Sequence, residues 1–221
     1  MTDKMDLSQL HQLSASNQEL LRHKKKQLVY QKGENIFKQG AFAPYVMFVQ
    51  TGLVKLYLQT GHNKQINIRV AKPGDLLAFS SVFGEDSYTY SSLALKDSEI
   101  CMIDKEGLKQ VLYDNNEFAM KITSSNFKNE KHLLNIISSI SHKQMRGKLA
   151  TALLYLSAKE FLDEQIFQYL SRQDIANFAS ITAESAIKFL KEFEKEGIIK
   201  IKGKDITIEK LNELKDISEK G

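Results

Sequence analysis

The stretch that decides the fold runs from residue 170 to residue 208: LSRQDIANFASITAESAIKFLKEFEKEGIIKIKGKDITI. Ser171 stands three residues before Asp174, the spacing of a capping box, in which side chain and backbone satisfy each other across the first turn of a helix. A helix therefore starts there, with Ile175, Ala176 and Ala179 as a small buried face. Ser180 and Ile181 make a tight turn. Thr182 caps a second helix, because its hydroxyl can accept from an N–H that the first turn leaves without a partner. Ala186, Phe189 or Leu190, and Phe193 recur on its inner side. Gly197, after Lys195-Glu196, stops it. IIKIKGKDITI then alternates around Gly203-Lys204, the pattern of a two-stranded hairpin. Two short helices, a tight turn and a hairpin make a winged helix-turn-helix.

With the inner positions fixed, Ala183, Glu184, Ile187, Lys188 and Lys191 face outward at the start of the second helix. In such motifs that is the part that enters a major groove. A glutamate can accept from cytosine N4, and a lysine can donate to guanine or phosphate. Ser185 can bond a base or a phosphate, and Ile187, apolar on a wet face, suits thymine methyls. Lys200, Lys202 and Lys204 on the hairpin suit phosphates. The expected DNA-contacting set is Ser171, Arg172, Thr182, Ala183, Glu184, Ser185, Ile187, Lys188, Lys191 and Lys202. A plainer reading stands beside it, since Glu184 and Lys188 also form an ordinary i,i+4 ion pair.

Upstream, Gln144 to Phe161 reads as a helix with Leu149, Leu153 and Leu156 as its buried stripe. Asn115 to Ser141 holds no glycine or proline. There Phe118, Ile122, Phe127, Leu133, Leu134, Ile136, Ile137 and Ile140 recur at helical spacing. Such a helix is about 40 Å long, too long for a small barrel to cover. A partner chain is the natural cover, and Phe118, Ile122, Phe127, Leu133, Ile136, Ile137 and Ile140 are the expected dimer seam, which Ser125 and Asn129 interrupt. Glu106 to Tyr113 suits a short helix.

From about Gln27 to Asp104 the period is two: Val46 and Phe48, then Val54, Leu56 and Leu58, Ile66, Ile68 and Val70, Leu93 and Leu95, and Ile100 and Met102. Glycines punctuate these runs, so many short strands in a jelly-roll-like β structure are expected. Residues 1 to about 24 read as a polar helical lead with Leu7, Leu10, Leu13, Leu20 and Leu21 on one face. Lys24-Lys25-Lys26, with Arg22 beside them, read as the solvated start of the first strand. The expected class is α+β: a jelly-roll-like sensory β-roll over residues 1–113, a long dimerisation helix over 114–141, and a winged helix-turn-helix over 142–221.

The bulk numbers agree with a DNA-binding protein and exclude little else. The chain has 221 residues, 42% hydrophobic and 26% charged, with a net charge of +4. That charge is compatible with a polyanionic partner but does not argue for one; the location of the lysines does. One cysteine, Cys101, allows no internal disulfide and reads as a small buried strand residue. The amino terminus has no apolar run suited to a signal peptide, and no segment approaches the roughly 18 apolar residues of a membrane span, so a cytoplasmic protein is expected. There is no nucleophile elbow, phosphate-cradling loop, HExxH or CxxC, so no enzyme is expected. His11, His23, His62, His132 and His142 are scattered without metal-ligand spacing, so neither metal nor cofactor is expected.

Residues 170–208 resemble the DNA-binding motif of the Crp/Fnr (catabolite activator and fumarate–nitrate regulator) family. KGENIFKQG at residues 32–40, VQTGLVKLY at 49–57 and AKPGDLL at 71–77 resemble that family's cyclic-nucleotide-binding-type β-roll. The resemblance runs from about residue 20 to 210. It implies a homodimer on a near-palindromic double-stranded DNA site, with RNA polymerase as a further partner. The family's recognition helix often reads arginine-glutamate-threonine-x-x-arginine; here the matching positions are Ala183, Glu184, Ser185 and Lys188. Lysine is a point donor rather than a fork, so the preferred site should differ from the familiar one.

In cyclic-nucleotide-binding members a glycine-glutamate-leucine run and an arginine-serine pair hold the ligand. The matching ligand-pocket positions here are Ala78, Phe79 and Ser80, and Tyr88, Thr89 and Tyr90, with no arginine between Arg69 and Arg146. Without a cation for the phosphate, tight binding of cyclic AMP is not expected. Phe79, Tyr88 and Tyr90 would mark a ligand-free regulator if they filled the pocket. A lone cysteine cannot hold an iron–sulfur cluster that needs about four. The residues name no effector. The competing reading is an interaction protein that keeps the fold without binding DNA, or a regulator with an atypical cyclic-nucleotide pocket.

Overall fold

The computed structural model describes residues 14–62 and 64–221. Leu7, Leu10 and Leu13 of the expected lead lie outside the described residues. The lead's described part is helix α1 (Ala15–His23), begun by Ser14, whose hydroxyl accepts from the Asn17 N–H at 3.2 Å.

Eight strands follow: β1 (Lys25–Tyr30), β2 (Asn35–Phe37), β3 (Tyr45–Thr51), β4 (Val54–Gly61), β5 (Lys64–Ala71), β6 (Leu76–Leu77), β7 (Ser91–Ala94) and β8 (Ser98–Asp104). They form two four-stranded sheets, ordered β1-β8-β3-β6 and β2-β7-β4-β5. β1 is an edge strand and mostly exposed, so Lys25 and Lys26 sit on a solvated border. Gly52, between β3 and β4, has φ +100, and a Cβ there would lie 2.1 Å from Ser98 Oγ. Only glycine fits that crossing.

The expected alternation fails on β3, where Val46, Met47, Phe48 and Val49 are all buried. The reason is a second cover. Val46 and Phe48 pack with Cys101, Ile103, Leu108, Val111, Phe118 and Ile122 in one cluster. That cluster draws on β8, on helix α2 (Lys105–Asp114) and on the start of helix α3 (Asn116–His142). By strand parity Met47 and Val49 face the interior of the roll. A strand covered on both faces loses its polar half.

The same cluster corrects the dimer seam. Phe118 and Ile122, expected there, are buried against their own roll. Ile136 and Ile140 also turn away, towards their own chain, lining a cleft with the next helix. Phe127, Leu133 and Ile137 are exposed, as a seam requires, and Met120 and Leu134 join them. Met120, Phe127 and Leu134 are seven residues apart, the repeat of a two-helix seam.

By its contacts the chain divides into two compact units. One holds Arg69–Lys131 with the chain up to Gln59, and the other holds Thr60–Ile68 with His132–Gly221. In the second unit helix α4 (Met145–Leu156) buries Leu149, Leu153 and Leu156. It ends at Leu156, short of the expected Phe161, because Ala158 turns extended and two short 3₁₀ turns, Lys159–Phe161 and Ile166–Tyr169, carry the chain on. Then come α5 (Arg172–Ala179), α6 (Ala183–Lys195), the hairpin β9 (Ile199–Lys202) and β10 (Asp205–Ile208), and α7 (Leu211–Lys220). Helix α7 packs on α4 through the fully buried Leu214 and was not foreseen from the sequence. Among the described residues no helix is long and apolar enough to cross a membrane.

Candidate nucleic-acid interface

Helix α5 begins with the expected capping box. The Asp174 N–H donates to Ser171 Oγ at 3.0 Å, and the Ser171 N–H donates to Asp174 Oδ2 at 2.9 Å. Ile175, Ala176, Phe178 and Ala179 are buried. The helix stops at Ser180, which sits in the left-handed region at φ 52. Behind α5, the buried Asn67 side chain donates to the Asp174 carbonyl at 3.0 Å. His132 donates from Nε2 to the Ile68 carbonyl at 2.8 Å and stacks on Tyr155 with ring centroids 4.2 Å apart. Neither residue carried a local signal, since each acts across the fold.

Thr182 caps α6, its hydroxyl oxygen accepting from the Ser185 N–H at 3.2 Å. Ala186, Leu190 and Phe193 are buried, so Leu190 rather than Phe189 takes the inner position. Glu184, Ile187, Lys188 and Lys191 are exposed, while Ala183 and Ser185 are half-buried. Ile187 keeps 41% of its surface in water, more than an isoleucine with a purely internal role would leave. The Glu184 carboxyl is held below the usual range by its own backbone N–H and by the Thr182 hydroxyl, so it is an anion at neutral pH. Lys188 Nζ lies 5.5 Å from the Phe189 ring centre, which supports the stem while the ammonium stays in water.

The hairpin forms with Asp205 opposite Lys202. Gly203 supplies the positive φ, +63, that its tight turn needs. Two ties set it against the helices. Arg172 donates from Nη2 to the Gly203 carbonyl at 2.8 Å and from Nη1 to the Lys204 carbonyl at 3.4 Å. Glu194 accepts from the Ile201 N–H at 3.1 Å. Burial pushes the Arg172 guanidinium down, and Glu194 opposes it. Arg172 thus reaches the wing's backbone, while Lys200, Lys202 and Lys204 point their charges into solvent. At the far end of α6, Arg146 pairs with Glu196 at 2.5 Å and lies 5.1 Å from the Phe193 ring centre, which fixes α6 on α4.

In the roll, the two pocket stretches are joined to each other. Ala78, in the left-handed region at φ 58, donates its N–H to Tyr90 Oη at 2.7 Å. Tyr88 is buried, stacks on Phe37 with ring centroids 4.2 Å apart, and donates its hydroxyl to the Tyr45 carbonyl at 3.2 Å. Burial pushes both phenols up, Tyr88 to about 12. Phe79 is elsewhere than expected: it packs against the helical cluster, edge-on to Phe83 at 5.4 Å. Ser80 and Thr89 are exposed. Arg69 is paired with Asp75 at 2.9 Å and donates to the Leu76 carbonyl at 3.3 Å. The Ala78 N–H and the Arg69 guanidinium are thus both engaged within the protein.

A capped helix with an open first turn and a lysine-bearing hairpin braced against it define a winged helix-turn-helix DNA-binding protein. Residues 27–115 match the cyclic nucleotide-binding domain and residues 147–217 the Crp-like helix-turn-helix domain. The fumarate and nitrate reduction regulatory protein of Vibrio cholerae is 26% identical over 195 residues, covering 85% of this chain and 76% of its own. Regulatory protein HlyX of Actinobacillus pleuropneumoniae is 27% identical over 191 residues, covering 83% and 78%. Among solved structures, a CooA mutant from Carboxydothermus hydrogenoformans superposes with a TM-score of 0.75 at 21% identity, over 99% of this chain and 97% of that one. FixK2 of Bradyrhizobium japonicum gives 0.71 at 20% identity, over 87% and 96%. The chain belongs to the Crp/Fnr family: it is a DNA-binding transcription regulator and not an enzyme.

Proposed function

We propose that this protein is a cytoplasmic homodimer that reads a near-palindromic DNA site through the major groove, one α6 per half-site. The observation that carries this is the exposed opening of α6, with Glu184, Ile187, Lys188 and Lys191 in water beside the braced lysines of the wing. Glu184 accepts from a cytosine N4, and Lys188 donates to a guanine or phosphate. Ile187 meets thymine methyls, and Thr182, Ala183 and Ser185 approach the backbone at the helix amino terminus. Ser171, Lys191 and Lys202 contact phosphates. Arg172 contributes by holding the wing turn, through its bonds to Gly203 and Lys204.

The dimer forms along α3, where Met120, Phe127, Leu134 and Ile137 expose an apolar stripe that no described residue of the chain covers. The sensory roll, the α3 connector and the DNA-binding region divide near residues 113 and 141. Cyclic AMP is not a ligand, because Tyr90 takes the Ala78 N–H and Arg69 is paired with Asp75. RNA polymerase is the partner through which the bound dimer acts.

The test is a genome-wide binding map of the wild type beside a Glu184→Ala, Lys188→Ala double variant, with anisotropy titrations on the recovered sites. The wild type should select one near-palindromic motif, and the double variant should lose about 1–3 kcal/mol of discrimination per base pair read. Equal occupancy by both proteins would remove Glu184 and Lys188 as base readers, and none by either would leave an interaction protein as the reading. Calorimetry with cyclic AMP should show no micromolar binding.

A further inference from the structure

The second unit contains a cleft with a volume of about 270 Å³. One wall is α3, through Ile136 and Ile140; the other is α4, through Lys148, Ala152 and Tyr155; Phe178 of α5 closes the end. The volume lies just below the range of small-molecule sites, roughly 300–1,000 Å³. Ile136 and Ile140 stand about 160° and 120° round α3 from the exposed Leu134, and about 100° and 60° from Ile137, so the cleft lies beside the exposed stripe rather than on it.

Its lining is mostly aliphatic and aromatic, with Asn135, Ser139, Thr151 and the His132 ring as neutral polar members and no carboxylate among them. The single ammonium is Lys148, half-buried, with no ion pair or side-chain hydrogen bond among the described residues. Other half-buried cations of this unit have partners: Arg146 pairs with Glu196, Arg172 donates to the wing, and Lys143 donates to Thr151 and Ser218. An unpaired cation at the rim of an apolar cleft complements an anion with an apolar body.

We infer that this cleft is a binding site for a small organic monoanion with an aromatic or aliphatic body, its carboxylate on Lys148 and its body between Ile136, Tyr155 and Phe178. A bound ligand would touch the end of α5 through Phe178 and Ala179, and Ala179 adjoins the Ser180 turn that leads into α6. It would wedge or brace α5 against α3 and so change the affinity for DNA only as far as it prefers one arrangement.

The probe is 1-naphthoate, with the neutral 1-naphthylmethanol as its partner, titrated into the full-length protein by calorimetry and by protein-observed NMR. The naphthoate should bind saturably at one site per chain, with shifts centred on Ile136, Ala152 and Phe178. Lys148→Met should weaken it about tenfold while changing the alcohol less than about twofold. Ala152→Leu should weaken both, and thermal unfolding of each variant checks that the fold persists. Absence of saturable naphthoate binding to the wild type, equal affinity of Lys148→Met and wild type, or shifts confined to another surface would each overturn the assignment. These readouts need no DNA, so they fail or succeed independently of the DNA-binding reading.

Discussion

Ser180 shows how one residue can be held against its own preference. It occupies the left-handed region at φ 52, and its hydroxyl is buried without a hydrogen-bond partner among the described residues. The conformation is imposed because α5 ends at Ala179 and α6 begins at Ala183, so the chain must turn within the three residues between them. For a non-glycine residue that backbone costs about 1–2 kcal/mol. Ser180→Gly should therefore raise stability by about 1 kcal/mol, read as a higher urea midpoint at unchanged slope; a lower midpoint would mean the hydroxyl has a bonding role. Gly52 is the converse. With φ +100 and Ser98 Oγ 2.1 Å from any added Cβ, Gly52→Ala should cost more than about 3 kcal/mol or prevent folding, seen as loss of soluble protein. Tyr88 sets an alkaline limit on the roll. Its phenol is raised from 10.0 to about 12, so the folded state favours the neutral form. The stability this contributes is complete below pH 10 and is lost as pH rises through about 12. Urea titrations at pH 9 and pH 11.5 should show the fall, and Tyr88→Phe should reduce it without removing it, since the Tyr90 phenol is raised as well.

Helices α5 and α6 and the wing carry local instructions, and these were readable. Ser171 and Thr182 make caps whose partners lie three residues away, and Ala186 and Phe193 are buried as their spacing required, while packing selected Leu190 over Phe189. Thr182→Ala should cost about 1 kcal/mol by freeing the Ser185 N–H. Arg172→Lys should loosen the wing, because a point ammonium cannot bond the Gly203 and Lys204 carbonyls in the geometry of a fork. A roughly threefold or larger loss of DNA affinity with unaltered sequence preference is the expected result; a changed preference would place Arg172 on a base instead. On α3 the spacing told less. It placed apolar residues all round the helix, and which of them face the roll, the cleft or solvent depends on what packs nearby. Phe127→Asp, on the exposed stripe, should convert a dimer to a monomer in light scattering without lowering helix content. The same change at the buried Ile122 should unfold the roll instead.

At the scale of the molecule, DNA binding is the sum of many phosphate contacts and a few base contacts, so its salt dependence distinguishes them. The logarithm of affinity should fall linearly with the logarithm of salt, and Lys202→Ala should lower that slope by about one while leaving sequence preference intact. The elements whose order is set by near neighbours, from the capped helices to the Gly203 turn, were fixed by sequence alone, because a cap, a helical face and a tight turn each close within a few residues. The fold class followed from their order. What tertiary structure decided is every choice that depends on a distant chain segment. The double cover of β3, the joining of Ala78 to Tyr90, the turning of Phe118 and Ile122 inward, and the cleft beside Lys148 all arise from such segments. Periodicity records that a residue is apolar, but the packing energy that orients it belongs to neighbours that adjacent sequence does not name.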